Sequence, residues 1–197
     1  AARLPVLKAT VTYTIGANGK IDVSLVGDVP EAFPHLPRLG FDITMPAGSE
    51  KVAYFGMGPC ENYVDMHHAA HMGYFETTVT DEYVDYIKPQ EHGNHTNVHY
   101  AAVYDILGRG LLFEGADTFE FKASHYSAAE LTEKQLNVDL EADERTFVRI
   151  DYKVGGIGSN SCGPQLAEAY QLNDKHIEFA FSIRPIILDN ADPIDVV

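Results

Sequence analysis

Lys8-Ala9-Thr10-Val11-Thr12-Tyr13-Thr14-Ile15 and Lys20-Ile21-Asp22-Val23-Ser24-Leu25-Val26 alternate β-branched or apolar residues with polar ones. They are separated by a short stretch containing Asn18-Gly19, a dipeptide that favours the backbone of a tight hairpin turn. Period-two alternation on both sides of such a turn predicts an antiparallel β-hairpin. The same pattern recurs along the chain, at residues 39–45, 51–55, 98–105, 110–114, 119–123, 147–154, 166–172 and 176–184. With the hairpin this makes ten strand candidates, and Gly108-Arg109-Gly110 supplies another turn. Helix is expected only at residues 127–135, where Ser127 as N-cap and Glu130 three residues later form a capping box. Strands at this spacing with almost no helix predict an all-β sandwich rather than a parallel α/β sheet.

The 197 residues suffice for one domain, in which roughly 70% of the unfolded chain's surface is buried. Hydrophobic residues make up 45% and charged residues 22%, an ordinary globular balance that argues against disorder. No apolar run approaches the ~20 residues of a membrane helix, so no membrane partner is expected. The start, Ala1-Ala2-Arg3-Leu4-Pro5, lacks the apolar centre of a signal peptide. Acidic residues number 29 against 14 basic ones, a net charge of -15 spread along the chain, which disfavours a nucleic-acid partner. Two cysteines, Cys60 and Cys162, are too few for a disulfide scaffold and fit a reducing cytoplasm. Residues 187–197 read as a tail after a sandwich spanning 1–186.

Function is sought in the loops. Gly156-Ile157-Gly158-Ser159-Asn160-Ser161-Cys162-Gly163-Pro164 combines glycines, a proline and short polar side chains, the composition of a shaped loop open to a ligand. Residues 56–85 and 89–97 form two further long polar and aromatic stretches. His67 and His71 would share one face of a helical turn and could chelate zinc with Asp65 or Glu91, but no HExxH or CxxC companion supports a metal site. Glu61, Asp65, Asp81, Asp85 and Glu91 are candidates for paired glycosidase carboxylates, set against the simpler reading of loop acids that accept backbone hydrogen bonds.

Several motifs together resemble one family. They are Arg38-Leu39-Gly40, Gly56-Met57-Gly58-Pro59-Cys60-Glu61-Asn62-Tyr63-Val64-Asp65, Pro89-Gln90-Glu91-His92-Gly93-Asn94, Phe121 with Ser124 and Tyr126, and Asp151 with the 156–164 loop. Their order and spacing, from about residue 8 to residue 185, are similar to the C-terminal, small-chain domain of β-galactosidases of glycoside hydrolase family 2. The resemblance implies a β-supersandwich like that of galactose mutarotase, with further strands preceding the point where this chain begins. It also implies that the catalytic glutamates lie on a separate TIM barrel, which would be the chain's partner. The chain then carries no catalytic residue and no metal ligand, the family's magnesium and sodium being bound elsewhere. Its role would be to help complete the cleft for a terminal β-galactoside such as lactose. Ser159, Asn160, Ser161 and Cys162 would form the substrate-cleft loop; Glu61, Asn62, Tyr63, Asp65, Glu91, His92, Asn94 and His95 would form a sugar-facing or interface loop. Missing strands would leave a sheet edge open to a second copy. The chain departs from the family at Cys162, where a sugar-stacking tryptophan is usual, at His92 for asparagine, at Met66 for arginine, and at His95 in place of the usual basic residue. Two other readings stand beside this one: an autonomous carbohydrate-binding module using loop tyrosines, and a mutarotase-like epimerase using His95 with Glu91.

Overall fold

The computed structural model of the protein describes residues 5–158 and 164–188. Nine strands form among them: β1 (Lys8–Ile15), β2 (Ile21–Asp28), β3 (Arg38–Met45), β4 (Lys51–Gly58), β5 (His71–Thr78), β6 (His95–Tyr104), β7 (Arg109–Ser124), β8 (Thr146–Val154) and β9 (His176–Ile187). Every pairing is antiparallel, in the order β1-β2-β9-β7-β6-β4-β5, with β8 joining β7 and β3 joining β8. The first hairpin closes as expected, with Gly19 at φ 82°, in the left-handed region that glycine adopts without strain. The helix α1 (Ala128–Glu133) is capped by the Ser127 hydroxyl, which accepts from the Glu130 amide.

β7 makes the sheet a sandwich. Its first half pairs with β9 and β6, while residues 120–124 pair with β8 and so belong to the second layer. The layers meet in an aromatic core, where Phe41 of β3 lies 5.2 Å from Phe181 and 6.4 Å from Phe179 of β9, a strand with which β3 does not pair. Val23, Leu25, Phe113, Phe119, Phe121, Val148, Ile150 and Ile177 fill the space around them.

The strand inventory differs from the expectation in four places. The candidates at 110–114 and 119–123 are one continuous strand, because polar Asp117 and Thr118 mark where β7 passes between layers. Residues 166–172 contain a single 3-10 turn, Glu168–Tyr170, and an isolated bridge from Leu172 to Leu36, both outside the strands, with Leu172 buried in the core. β5 falls inside the stretch expected to be loop; it pairs with β4 alone and is half-exposed, so its apolar alternation is weak. β9 includes Ile187, the first residue of the expected tail, and residues 189–197 lie outside the described set.

β1 is exposed along its whole length. Its register places Val11, Tyr13 and Ile15 opposite Leu25, Val23 and Ile21, on the face that is buried in β2. The second layer covers β2 and stops there, leaving Tyr13 59% and Ile15 73% exposed.

Candidate functional site

The loop that follows β4 is held by side chains that point inward. Asn62 is fully buried: its Nδ2 donates to Met57 O at 2.9 Å and Cys60 O at 3.0 Å, and its Oδ1 accepts from Thr96 N at 2.9 Å and Thr96 Oγ1 at 2.6 Å. One amide thereby uses its whole hydrogen-bonding capacity to tie this loop to β6. Asn94, equally buried, donates to Asn62 O at 3.0 Å and to Glu120 at 2.7 Å, while Asn62 N donates back to Asn94 O at 2.7 Å. Glu61 accepts from Gly93 N at 2.8 Å and from the Tyr86 hydroxyl. Gly93 sits at φ 69°, and a Cβ there would come within 2.8 Å of Glu82 O.

A charged cluster lies beneath these loops. Arg38 reaches from β3 to Glu91 at 2.8 Å and to buried Asp151 of β8, and Lys122 of β7 holds the other Glu91 oxygen at 3.0 Å. Burial opposes ionisation of Glu91, but Lys122 and Arg38 outweigh it and hold its carboxyl below the usual range. Burial likewise disfavours the Arg38 charge, which Asp151 and Glu91 more than restore. Glu120 has no cation within salt-bridge distance among the described residues, and its burial pushes its pKa up to about 7 against the opposing bonds from Val154 N and Asn94.

The histidines of the second stretch are buried too. His95 sets Nε2 2.6 Å from Glu82 and Nδ1 3.0 Å from the Tyr54 hydroxyl. His92 donates through Nδ1 to Gln90 O at 2.9 Å, presents its ring edge-on to Tyr83, and has its pKa lowered by burial and then by Lys122. His67 and His71 do not share a helical face: His67 lies in a turn, its ring stacked on His68, and His71 opens β5. Among the described residues no three potential metal ligands converge.

Ser159, Asn160, Ser161 and Cys162 lie outside the described residues; the base of their loop lies within. Gly156 N donates to Tyr170 O at 2.8 Å. The Asp65 carboxylate takes the next two amides, Ile157 N at 3.1 Å and Gly158 N at 2.8 Å. Val64 and His67, flanking Asp65, line a cleft of about 510 Å³ shared with Met57, Asn97, Glu120 and Tyr152. Asn97 stands at φ 53° where β6 is bulged, which turns its side chain outward.

Thus Asn62, Tyr63, His92, Asn94 and His95 are buried, Glu61, Asp65 and Glu91 are partly so, and most of these side chains are spent on linking loops to the sheet. Sequence reasoning did not select Glu82, Glu120 or Lys122. The last two interrupt the Phe119-Glu120-Phe121-Lys122 alternation and so read as a solvated strand face, whereas β7 is covered on both sides there.

Residues 1–183 match the family described as the β-galactosidase small chain. The chain is 41% identical over 180 residues to a β-galactosidase of Staphylococcus xylosus, covering 91% of this chain and 18% of that protein. It is 36% identical over 178 residues to that of Actinobacillus pleuropneumoniae, covering 90% of this chain and 17% of the relative. Identity to the β-galactosidase of Kluyveromyces lactis is 30% over 177 residues, 87% of this chain and 17% of that protein. The chain therefore spans less than a fifth of the length of these curated relatives.

Proposed function

The chain belongs to the family of the β-galactosidase small chain, and on that premise we propose that it is the C-terminal β-sandwich of a larger, retaining β-galactosidase that hydrolyses terminal β-D-galactosides. The observation that carries this reading is the asymmetry of coverage: 91% of this chain against 18% of the Staphylococcus xylosus relative. A part of that size holds the cleft in shape and leaves acid-base chemistry to glutamates elsewhere in the protein, on the TIM barrel that is its partner. The magnesium and sodium implied by the family are assigned, in this reading, to ligands outside the chain, and the enzyme to the cytoplasm.

Within the chain, the work is positional. The Asn62–Asn94 and Arg38–Glu91–Lys122 networks fix two loops against β6, β7 and β8, and Asp65 fixes the base of the 156–164 loop, which walls the substrate cleft. Purified chain assayed with a chromogenic β-galactoside is expected to show no turnover above blank. Turnover that survives rigorous purification would place catalysis in this chain and sink the reading. In the complete enzyme, replacing residues 159–162 with glycines is expected to raise KM for galactosides, and an unchanged KM would remove the cleft-walling role.

One observation favours a second reading, an autonomous carbohydrate-binding module: the 510 Å³ cleft pairs the Tyr152 ring with the turned-out Asn97. Calorimetry of the isolated chain with galactose and lactose separates the two, since an independent module binds alone and one wall of a divided cleft does not.

A further inference from the structure

We propose that the cleft beside Glu120 is a docking site within the complete enzyme, and that it receives a long basic side chain carried by the remainder of the β-galactosidase. The inference rests on the reading that the chain is part of that larger enzyme, and adds a place and a chemistry of contact. Glu120 lines both the 510 Å³ cleft and an adjoining cavity of about 150 Å³, which also share Val64 and Lys153. Strand alternation turns it away from the core, where its neighbours Phe119 and Phe121 pack. Only 8% of the residue is exposed, and each carboxylate oxygen accepts one bond from a neutral donor. Val154 N donates to Oε1 at 3.1 Å and Asn94 Nδ2 to Oε2 at 2.7 Å. A carboxylate oxygen has room for two donors, so one acceptor position per oxygen is left, the pair that a guanidinium fork fills.

The cations around Glu120 are committed elsewhere. Arg38 is held by Glu91 and by Asp151, which lies opposite Glu120 on β8; Lys122 is held by Glu91, and Lys153 by Asp174 at 2.8 Å. The other ionisable groups lining the two cavities are Asp117, His67, Tyr152 and Tyr170, none of them a permanent cation. A buried carboxylate without a paired cation is costly, and here burial raises the pKa to about 7. The walls complete the match. Met57, Val64 and Tyr152 are half-buried and offer apolar surface to an aliphatic stem, while the acid meets the charged head. A metal ion gains nothing from such walls, and no three metal ligands converge among the described residues. The occupant has a source, since the chain spans 18% of its Staphylococcus xylosus relative. The net charge of -15 favours basic groups on whatever packs against the chain.

The test compares Glu120→Gln with the parent across pH in two forms, the isolated chain and the complete β-galactosidase. In the isolated chain the acid is unpaired and its pKa is raised, so the parent loses stability relative to the variant as pH rises from 5 to 8. In the complete enzyme a paired cation lowers that pKa below the ordinary 4.5, so the stabilisation from Glu120 is present above that value and lost as pH falls. The sign is therefore expected to reverse, with Glu120→Gln enzyme inactivating roughly tenfold faster than the parent at pH 8 and a fixed temperature, because a buried cation loses its partner. Thr118→Trp fills the cleft without touching the carboxylate, and carries the measurement if the glutamine disturbs Asn94 in both forms. It is expected to leave the unfolding midpoint of the isolated chain unchanged and to speed inactivation of the enzyme similarly. Lys153→Met is expected to leave the reversal intact; a reversal that vanishes with it would make Lys153 the partner and overturn the proposal. Profiles of the same sign in both forms, with no turnover by the isolated chain, overturn the docking site alone. Turnover by the isolated chain removes the small-chain reading and the docking site with it. Stabilisation of the isolated chain by lactose that disappears in Glu120→Gln would make the cleft a sugar site, and that too overturns the proposal.

Discussion

Arg38 shows why a polar residue on this scaffold is costly to lose. It connects β3 to Asp151 on β8 and to Glu91 on the loop before β6, so its removal strands a buried carboxylate on one side and weakens a loop tether on the other. Arg38→Ala is expected to destabilise the fold by about 3 to 5 kcal/mol, read from the midpoint of a denaturant titration. A loss under about 1 kcal/mol, the level of an exposed pair, would show that Asp151 finds water or another partner. Glu61 and Glu91 were legible as loop acids, and Arg38, Asn62, Asn94 and Asp151 through the motifs that carry the family resemblance. Their inward direction was not. Asn62 is buried because Thr96 lies beside it, and Asn94 because Glu120 does, partners 34 and 26 residues away that no local pattern announces.

Strand β7 carries the same lesson at the level of an element. Period-two alternation recovers a strand whose faces differ, and β1 to β4, β6, β8 and β9 were all visible on that basis. β7 sits between β9 and β6 at one end and β6 and β8 at the other, so Glu120 and Lys122 are buried along with Phe119 and Phe121. The burial of Glu120 has a measurable consequence. Its folded-state pKa, about 7, lies above the ordinary 4.5, so the folded state binds the proton more tightly than the unfolded chain does. The resulting stability is complete below pH 4.5 and is lost as pH rises toward and through 7. Between pH 5 and pH 8 the wild type should therefore lose stability relative to Glu120→Gln, by at most about 3 kcal/mol. Chemical denaturation of both proteins across that range is the check, and parallel profiles would mean that Glu120 titrates normally.

At the scale of the whole molecule two opposing properties meet at β1. Among the described residues the strand's outer edge has no partner, the segment 9–15 contains no charge or proline to discourage pairing, and Tyr13 and Ile15 extend the core face of β2 into solvent. Such an edge is a template for another strand. Against it stands the net charge of -15, which repels a second copy at low ionic strength. Self-association of the isolated chain should therefore be salt-dependent: weak in dilute buffer, and stronger at about 1 M salt, where the screening length falls to roughly 3 Å. Tyr13→Lys, which puts a charge on the apolar face without altering the turn, should hold the chain monomeric in sedimentation equilibrium at both salt concentrations. In the complete enzyme the remaining polypeptide is expected to cover this face, so the same substitution should lower its thermal stability more than that of the isolated chain. A wild-type chain that stays monomeric at high salt, together with a complete enzyme indifferent to Tyr13→Lys, would mean that β1 is an ordinary exposed edge with nothing built to meet it.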